Sequence, residues 1–126
     1  MNTKNDEIRG DCMKISYIAH QINGNVESNI ASVIKLCKEL HTEEVIPFAP
    51  YIVALQYLDD NLPKEREKGM LADDCFFEKK VMDELLLCGP KISRGMEREI
   101  KLALKYEIPI HCHNPELQKG LDELIA

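Results

Sequence analysis

The sequence predicts one α/β domain: a mostly parallel sheet of four or five strands, flanked by helices, with a small-molecule site at its strand ends. Three observations predict it. Short apolar runs alternate with segments of helical periodicity, which calls for right-handed βαβ crossovers and helices on both faces of the sheet. One run, Glu84-Leu85-Leu86-Leu87-Cys88, is almost continuously apolar, as a strand covered on both faces requires. The length, 126 residues, suits one domain and is short for two.

The elements follow in order. Residues 1–13 read as a flexible polar leader and 14–126 as the domain. Lys14-Ile15-Ser16-Tyr17-Ile18-Ala19-His20 is a short strand, ended by the turn chemistry of Gln21-Ile22-Asn23-Gly24-Asn25. Apolar residues from Val26 to Leu40 then recur at helical spacing, with Asn25 placed to cap them. Residues 45–50 form a second strand, which Pro47 assigns to an edge. A short helix over residues 51–58 follows. Pro63 suits the first position of a long charged helix reaching about Met82, with Gly69 a point of kinking or breakage. After the 84–88 strand, Gly89-Pro90 breaks the chain, and Ser93 caps a helix running to about Glu107. Residues 108–112 are the last strand, and Asn114-Pro115 opens a final helix.

Composition narrows the function. A net charge of -6 argues against a nucleic-acid polymer or an anionic membrane as partner, since either needs a dominant basic surface. No apolar run approaches the ~20 residues of a membrane span, and the first 14 residues contain no apolar leader. The five cysteines include no CxxC pair, and the apolar neighbours of Cys37 and Cys88 suggest reduced, buried thiols. The expected location is the cytoplasm.

In an open parallel sheet, ligands bind outside the carboxyl ends of the strands, so residues 20–25 and 89–95 are the loops of interest. The second opens onto a helix whose first turn carries Ser93, Arg94 and Gly95: free N–H groups, a hydroxyl and a guanidinium, the makings of an anion site. Glu99, about two turns on, can project towards the same cavity. The segment equally reads as a capping serine before a solvated helix. The first loop, His20, Ile22, Asn23 and Gly24, can cradle a phosphate by its backbone, although Asn-Gly is also ordinary turn chemistry. Tyr17 on the preceding strand fits a structural core position too. Asp73 and Asp74 lie on the charged helix, where an acidic pair is usually its wet side. His111 and His113 lie two apart, but no third residue completes a metal site.

Taken together, these segments resemble the nucleoside 2-deoxyribosyltransferase-like superfamily, over about residues 15–110. Tyr17-Ile18-Ala19-His20 with its Gly/Asn turn looks like that family's first strand. Arg66, Gly69, Met70 and Asp73 lie where many short members carry an arginine, a Gly-Met pair and an active-site aspartate. Residues 83–89 resemble its "D-E-apolar strand-G" element, and residues 93–103 its "S-x-G-x-x-x-E-x-x-x-A" pattern, whose glutamate is the nucleophile and falls on Glu99 rather than Glu97. Ser93, where transferases acting on free nucleosides commonly have aspartate, is similar to the 2′-deoxynucleoside 5′-phosphate N-hydrolase branch. The first loop departs from that branch, having Asn23-Gly24-Asn25 instead of an arginine and paired glycines.

The resemblance implies a flavodoxin-like or Rossmann-like fold and cleavage of the N-glycosidic bond of a (deoxy)nucleoside 5′-monophosphate. Glu99 would be the nucleophile, Asp73 the residue acting on the base, with Asp74 the fallback, and Tyr17 would position the sugar. Ser93, Arg94 and Gly95 would meet the phosphate, together with His20, Ile22, Asn23 and Gly24. It implies no cofactor and no metal, and a homodimer or larger homo-oligomer. A nucleoside 2-deoxyribosyltransferase and a non-catalytic nucleotide sensor remain the alternatives.

Overall fold

A computed structural model of the chain describes residues 13–126; the expected leader lies, but for its last residue, outside the described residues. Four strands form one sheet: β1 (Lys14–Ala19), β2 (Val45–Phe48), β3 (Glu84–Leu87) and β4 (Ile110–Cys112). Their order is β2-β1-β3-β4 and every pairing is parallel. The helices are α1 (Val26–Leu40), α2 (Pro50–Ala54), α3 (Pro63–Glu78), α4 (Arg94–Lys105) and α5 (Leu117–Ile125). The architecture is the expected flavodoxin/Rossmann-like α/β domain. Among the described residues, no helix is long and apolar enough to cross a membrane.

Burial explains the layering. On one face of the sheet Tyr17, Ala19, Leu85 and Leu87 pack with Phe77 of α3, Met96, Ile100 and Ala103 of α4, and Leu117 and Leu121 of α5. On the other, Ile18 and Cys88 pack with Val33 of α1. Central β1 thus buries side chains in both directions, which is why its run is apolar without strict alternation. Pro47 sits on the edge strand, where a missing donor is tolerated.

Helix starts agree with their sequence signals. Asn25 Oδ1 accepts from Ser28 N–H at 3.2 Å, Pro63 begins α3, and Ser93 Oγ accepts from Met96 N–H at 3.3 Å. Several other boundaries are corrected. α3 runs unbroken through Gly69 and stops at Glu78, and α4 stops at Lys105. Both end in the same way. Val81 N–H bonds to Phe76 O and Lys80 N–H to Phe77 O, while Ile108 N–H bonds to Ala103 O and Glu107 N–H to Leu104 O. These are Schellman closures, with Lys80 (φ 50°) and Glu107 (φ 58°) in the left-handed position that glycine usually fills. The short helix is confined to Pro50–Ala54, and the last begins at Leu117.

The order β2-β1-β3-β4 places the topological switch point between β1 and β3, because the connections leaving these strands run in opposite directions across the sheet. A crevice opens there at the strands' carboxyl ends.

Candidate active site

That crevice is a cleft of about 640 Å³. Its floor rests on a three-residue cluster from three elements, of which Asp73 and Glu99 line the cleft and Tyr17 is buried behind them. The Tyr17 hydroxyl, on central β1, lies 2.6 Å from Asp73 Oδ1 of α3 and 2.6 Å from Glu99 Oε2 of α4. The tyrosine ring is fully buried, in tilted or edge contact with Phe48, Tyr51 and Phe77. Glu99 is 9% exposed and reaches the cleft, and half-buried Asp73 lines it beside Glu99.

Proton counting constrains this cluster. A phenol has one proton to donate, yet two carboxyl oxygens lie at hydrogen-bond distance. One contact is therefore satisfied by a proton on a carboxyl group, donated to the phenolic oxygen. Electrostatics agree: burial, reinforced by the charge of Asp73, raises the Glu99 carboxyl well above its usual range. Asp73 is raised by burial too, against the lowering effect of its hydrogen bond with Tyr17. Burial and the two carboxylates also raise the Tyr17 phenol, keeping it a donor. Two close carboxyl groups that resist ionising together share a proton. Since both contact one oxygen, the contacting oxygens lie no more than roughly 5 Å apart, too close for the water that an inverting acid pair holds between its carboxyls. One member can attack as an anion while the other gives up a proton.

Above this floor stands the N-terminus of α4. Ser93, Arg94 and Gly95 all line the cleft. The Ser93 oxygen is occupied by the Met96 N–H, which leaves its hydroxyl proton free to donate. His20, Ile22 and Asn23 line the opposite wall, tied down by Gln21 Nε2 to Asn23 O at 2.9 Å and Asn29 Nδ2 to Ile22 O at 2.9 Å. His20 is buried against Gly89, where a Cβ would stand 3.0 Å from the imidazole ring. With φ at 86° as well, that position admits glycine alone without strain. Two expected site residues do not line the cleft: Tyr17, fully buried behind the carboxyls, and Gly24. Gly24 lies at φ 105° and turns the chain into α1.

Asp73 and Asp74 part company. Asp74 pairs with Arg98 across the α3–α4 seam instead of joining the floor. Arg66, Gly69 and Met70 line the cleft, Arg66 lying 3.6 Å from Asp60. The residue that sequence reasoning missed is Tyr51, which lines the cleft and donates its hydroxyl to the Ile18 carbonyl. The signal was present: Tyr51 follows the carboxyl end of β2, and the strand-end rule applies there as it does after β1 and β3. His111 is exposed, with Nε2 3.7 Å from Glu84, and among the described residues no group of three metal-ligating side chains converges. Cys37, Cys75, Cys88 and Cys112 are free thiols, but only Cys88 is fully buried, and Cys75 is exposed. Burial pushes the Cys88 thiol up to about 12, so it is not a nucleophile.

Fold and cleft together define a small α/β protein with a parallel sheet and a buried acid pair at its switch point. The chain belongs to a family described as a domain of unknown function (DUF7768), which its residues 14–113 match. Among solved structures it is similar to the "conserved protein from Enterococcus faecalis V583", at 19% identity and a TM-score of 0.54, over 90% of this chain and 75% of that one. That likeness concerns the fold. No curated protein matches the chain.

Proposed function

We propose that this protein cleaves the N-glycosidic bond of a (deoxy)nucleoside 5′-monophosphate through a covalent glycosyl-enzyme. The observation that carries the reading is the single phenol, Tyr17, bridging Asp73 and Glu99 beneath the α4 N-terminus. At rest burial favours the shared proton on Glu99; it passes to Asp73 through the Tyr17 hydroxyl, which accepts the Glu99 proton as it gives its own to Asp73. Glu99, now the anion, attacks C1′ and forms a glycosyl ester. The C1′–N bond breaks, and protonated Asp73 supplies a proton to the departing base. Asp73, now anionic, takes a proton from water as the water oxygen attacks C1′. The ester opens, and the pair returns to one shared proton. Tyr17 donates to whichever carboxylate bears the charge, and so holds the nucleophile in line. The 5′-phosphate lies against Ser93, Arg94 and the free N–H groups of α4, where anions are favoured. Pro50, Tyr51, Leu58, Met70 and Phe76 give the other end of the cleft an apolar lining suited to a base. The reading needs no cofactor and includes a homo-oligomer in the cytoplasm.

Incubation with deoxynucleoside monophosphates and free deoxynucleosides, with and without an acceptor base, tests it by chromatography of released base. Release from the monophosphate without acceptor is the expected result. Exchange that requires an acceptor identifies a transferase instead. Stabilisation by mononucleotide without release identifies a sensor; ligand at 100 times Kd gives about 2.7 kcal/mol.

A further inference from the structure

A second pairing crosses the α3–α4 seam beside the acid pair. Asp74 follows Asp73 on α3, and Arg98 precedes Glu99 on α4. The Arg98 guanidinium donates through Nη2 to Asp74 Oδ1 and, at 3.4 Å, to the Met70 carbonyl oxygen. The two helices are therefore joined by adjacent rungs: Asp73–Tyr17–Glu99, with an excess of acid, and Asp74–Arg98, with a cation. A long arginine side chain at a partly exposed position extends into water unless something holds it, and here both holding groups come from α3.

We propose that Asp74 is a positioning residue: it fixes Arg98 against the cleft wall, where the guanidinium offsets the negative charge of the Glu99–Asp73 pair. The groups acting on that pair are Tyr17 from β1, Tyr51 from α2, Asp74 from α3 and Arg98 from α4; the cleft lining adds His20 after β1, Asp60 before α3, Glu65 and Arg66 of α3, Lys91 before α4, and Arg94 and Glu97 of α4. Arg98 favours the ionised form of both carboxyls, whereas Asp74 acts on Asp73 in the opposite sense. The direct field of Asp74 and its anchoring of Arg98 thus have contrary signs, which makes the anchoring measurable. The inference rests on the proposed glycosidic chemistry only where turnover is measured.

The test is titration of the Asp73 and Glu99 side-chain carboxyls by 13C NMR in the wild type, Arg98→Met, Arg98→Lys and Asp74→Ala, the last of which removes the acceptor as well as the charge. The first ionisation of the pair is expected to move to higher pH in Arg98→Met and to stay near wild type in Arg98→Lys, which keeps the charge. It is expected to move to higher pH in Asp74→Ala as well, although a neighbouring negative charge has been deleted. A move to lower pH, or none, in Asp74→Ala shows that the guanidinium keeps its place without Asp74 and overturns the proposal. So does an unmoved midpoint in Arg98→Met, or an equal rise in Arg98→Lys and Arg98→Met, which signals lost packing. With turnover of a deoxynucleoside monophosphate, the acidic limb of kcat follows the same midpoint at unchanged KM. A raised KM with an unmoved midpoint makes Arg98 a phosphate ligand and overturns the positioning role. If the wild type releases no base, the glycosidic reading fails and the titration still decides this one.

Discussion

At the floor of the cleft, Tyr17, Asp73 and Glu99 arrive from β1, α3 and α4 and are locked by 2.6 Å hydrogen bonds in a largely buried setting. At the rim, Ser93, Arg94 and Asn23 are held by helix capping and loop hydrogen bonds, with Arg94 and Asn23 exposed. The floor is complete before any ligand arrives, and its carboxyls resist ionisation because the fold has desolvated them. The rim offers N–H and O–H groups that water serves equally well until a ligand replaces it. A substitution in the floor should therefore act on the chemical step and on folding, and one in the rim on ligand choice alone.

The sharpest way to break this contrast is Glu99→Gln. The amide keeps the shape and loses the nucleophile, so kcat should fall to background while mononucleotide binding persists. The same change should stabilise the fold at neutral pH. Glu99 and Asp73 have raised folded-state values, so the folded protein holds protons that the unfolded chain releases. The contribution of this pair to stability is thus greatest in acid and is lost as pH rises from the ordinary carboxyl range through the raised values. Deleting one ionisable partner removes most of that loss. Thermal melts at acid and neutral pH check this: an equal or lower melting temperature for the variant at neutral pH means that the floor stores no such strain.

Asp73→Asn comes next, with an expected fall in kcat of about 10²–10⁴, the range for a positioned acid. Asp74→Ala should move the pH profile and cost much less at the optimum. If the two variants lose equally, the adjacent rungs do not have separate roles. At the rim, Ser93→Asp is the informative change. A charge-assisted hydrogen bond contributes roughly 1.5–3 kcal/mol, so the wild type should prefer a 5′-monophosphate over its nucleoside by about tenfold or more in kcat/KM. Aspartate should reverse the preference without touching the floor; a wild type that favours the free nucleoside refutes the phosphate assignment.

The smallest effects lie far from both regions. Lys80→Gly and Glu107→Gly each relieve a left-handed backbone and should stabilise by about 0.5–1 kcal/mol, with turnover unchanged. Chemical denaturation curves with equal slopes and shifted midpoints are the expected record.

These two positions also explain where the sequence misled. The alternation of strands and helices, the edge role of Pro47 and the caps at Asn25 and Ser93 were legible because each has a local chemical signal. The ends of α3 and α4 were not, because a Schellman closure with lysine or glutamate at its left-handed position carries none of the glycine that marks it. Gly69 misled in the opposite sense: a glycine within a helix whose flanking turns are intact costs stability without interrupting it. Spacing to Ser93 located Glu99 through the resemblance, and the same spacing made Ser93 a rim residue. The Asp74–Arg98 rung depends on how α3 and α4 cross, and no local pattern encodes a crossing.

The chain contains no tryptophan and four tyrosines. Tyr17 joins the two carboxyls behind the floor, and Tyr51 and Tyr57 line the cleft. Three of the four intrinsic fluorophores thus stand within or beside the pocket. A phenol that donates to a carboxylate is quenched, so any occupant that takes over Glu99 or Asp73 should brighten the protein. Occupancy can be followed without a label, in the light that the unmodified molecule already gives off.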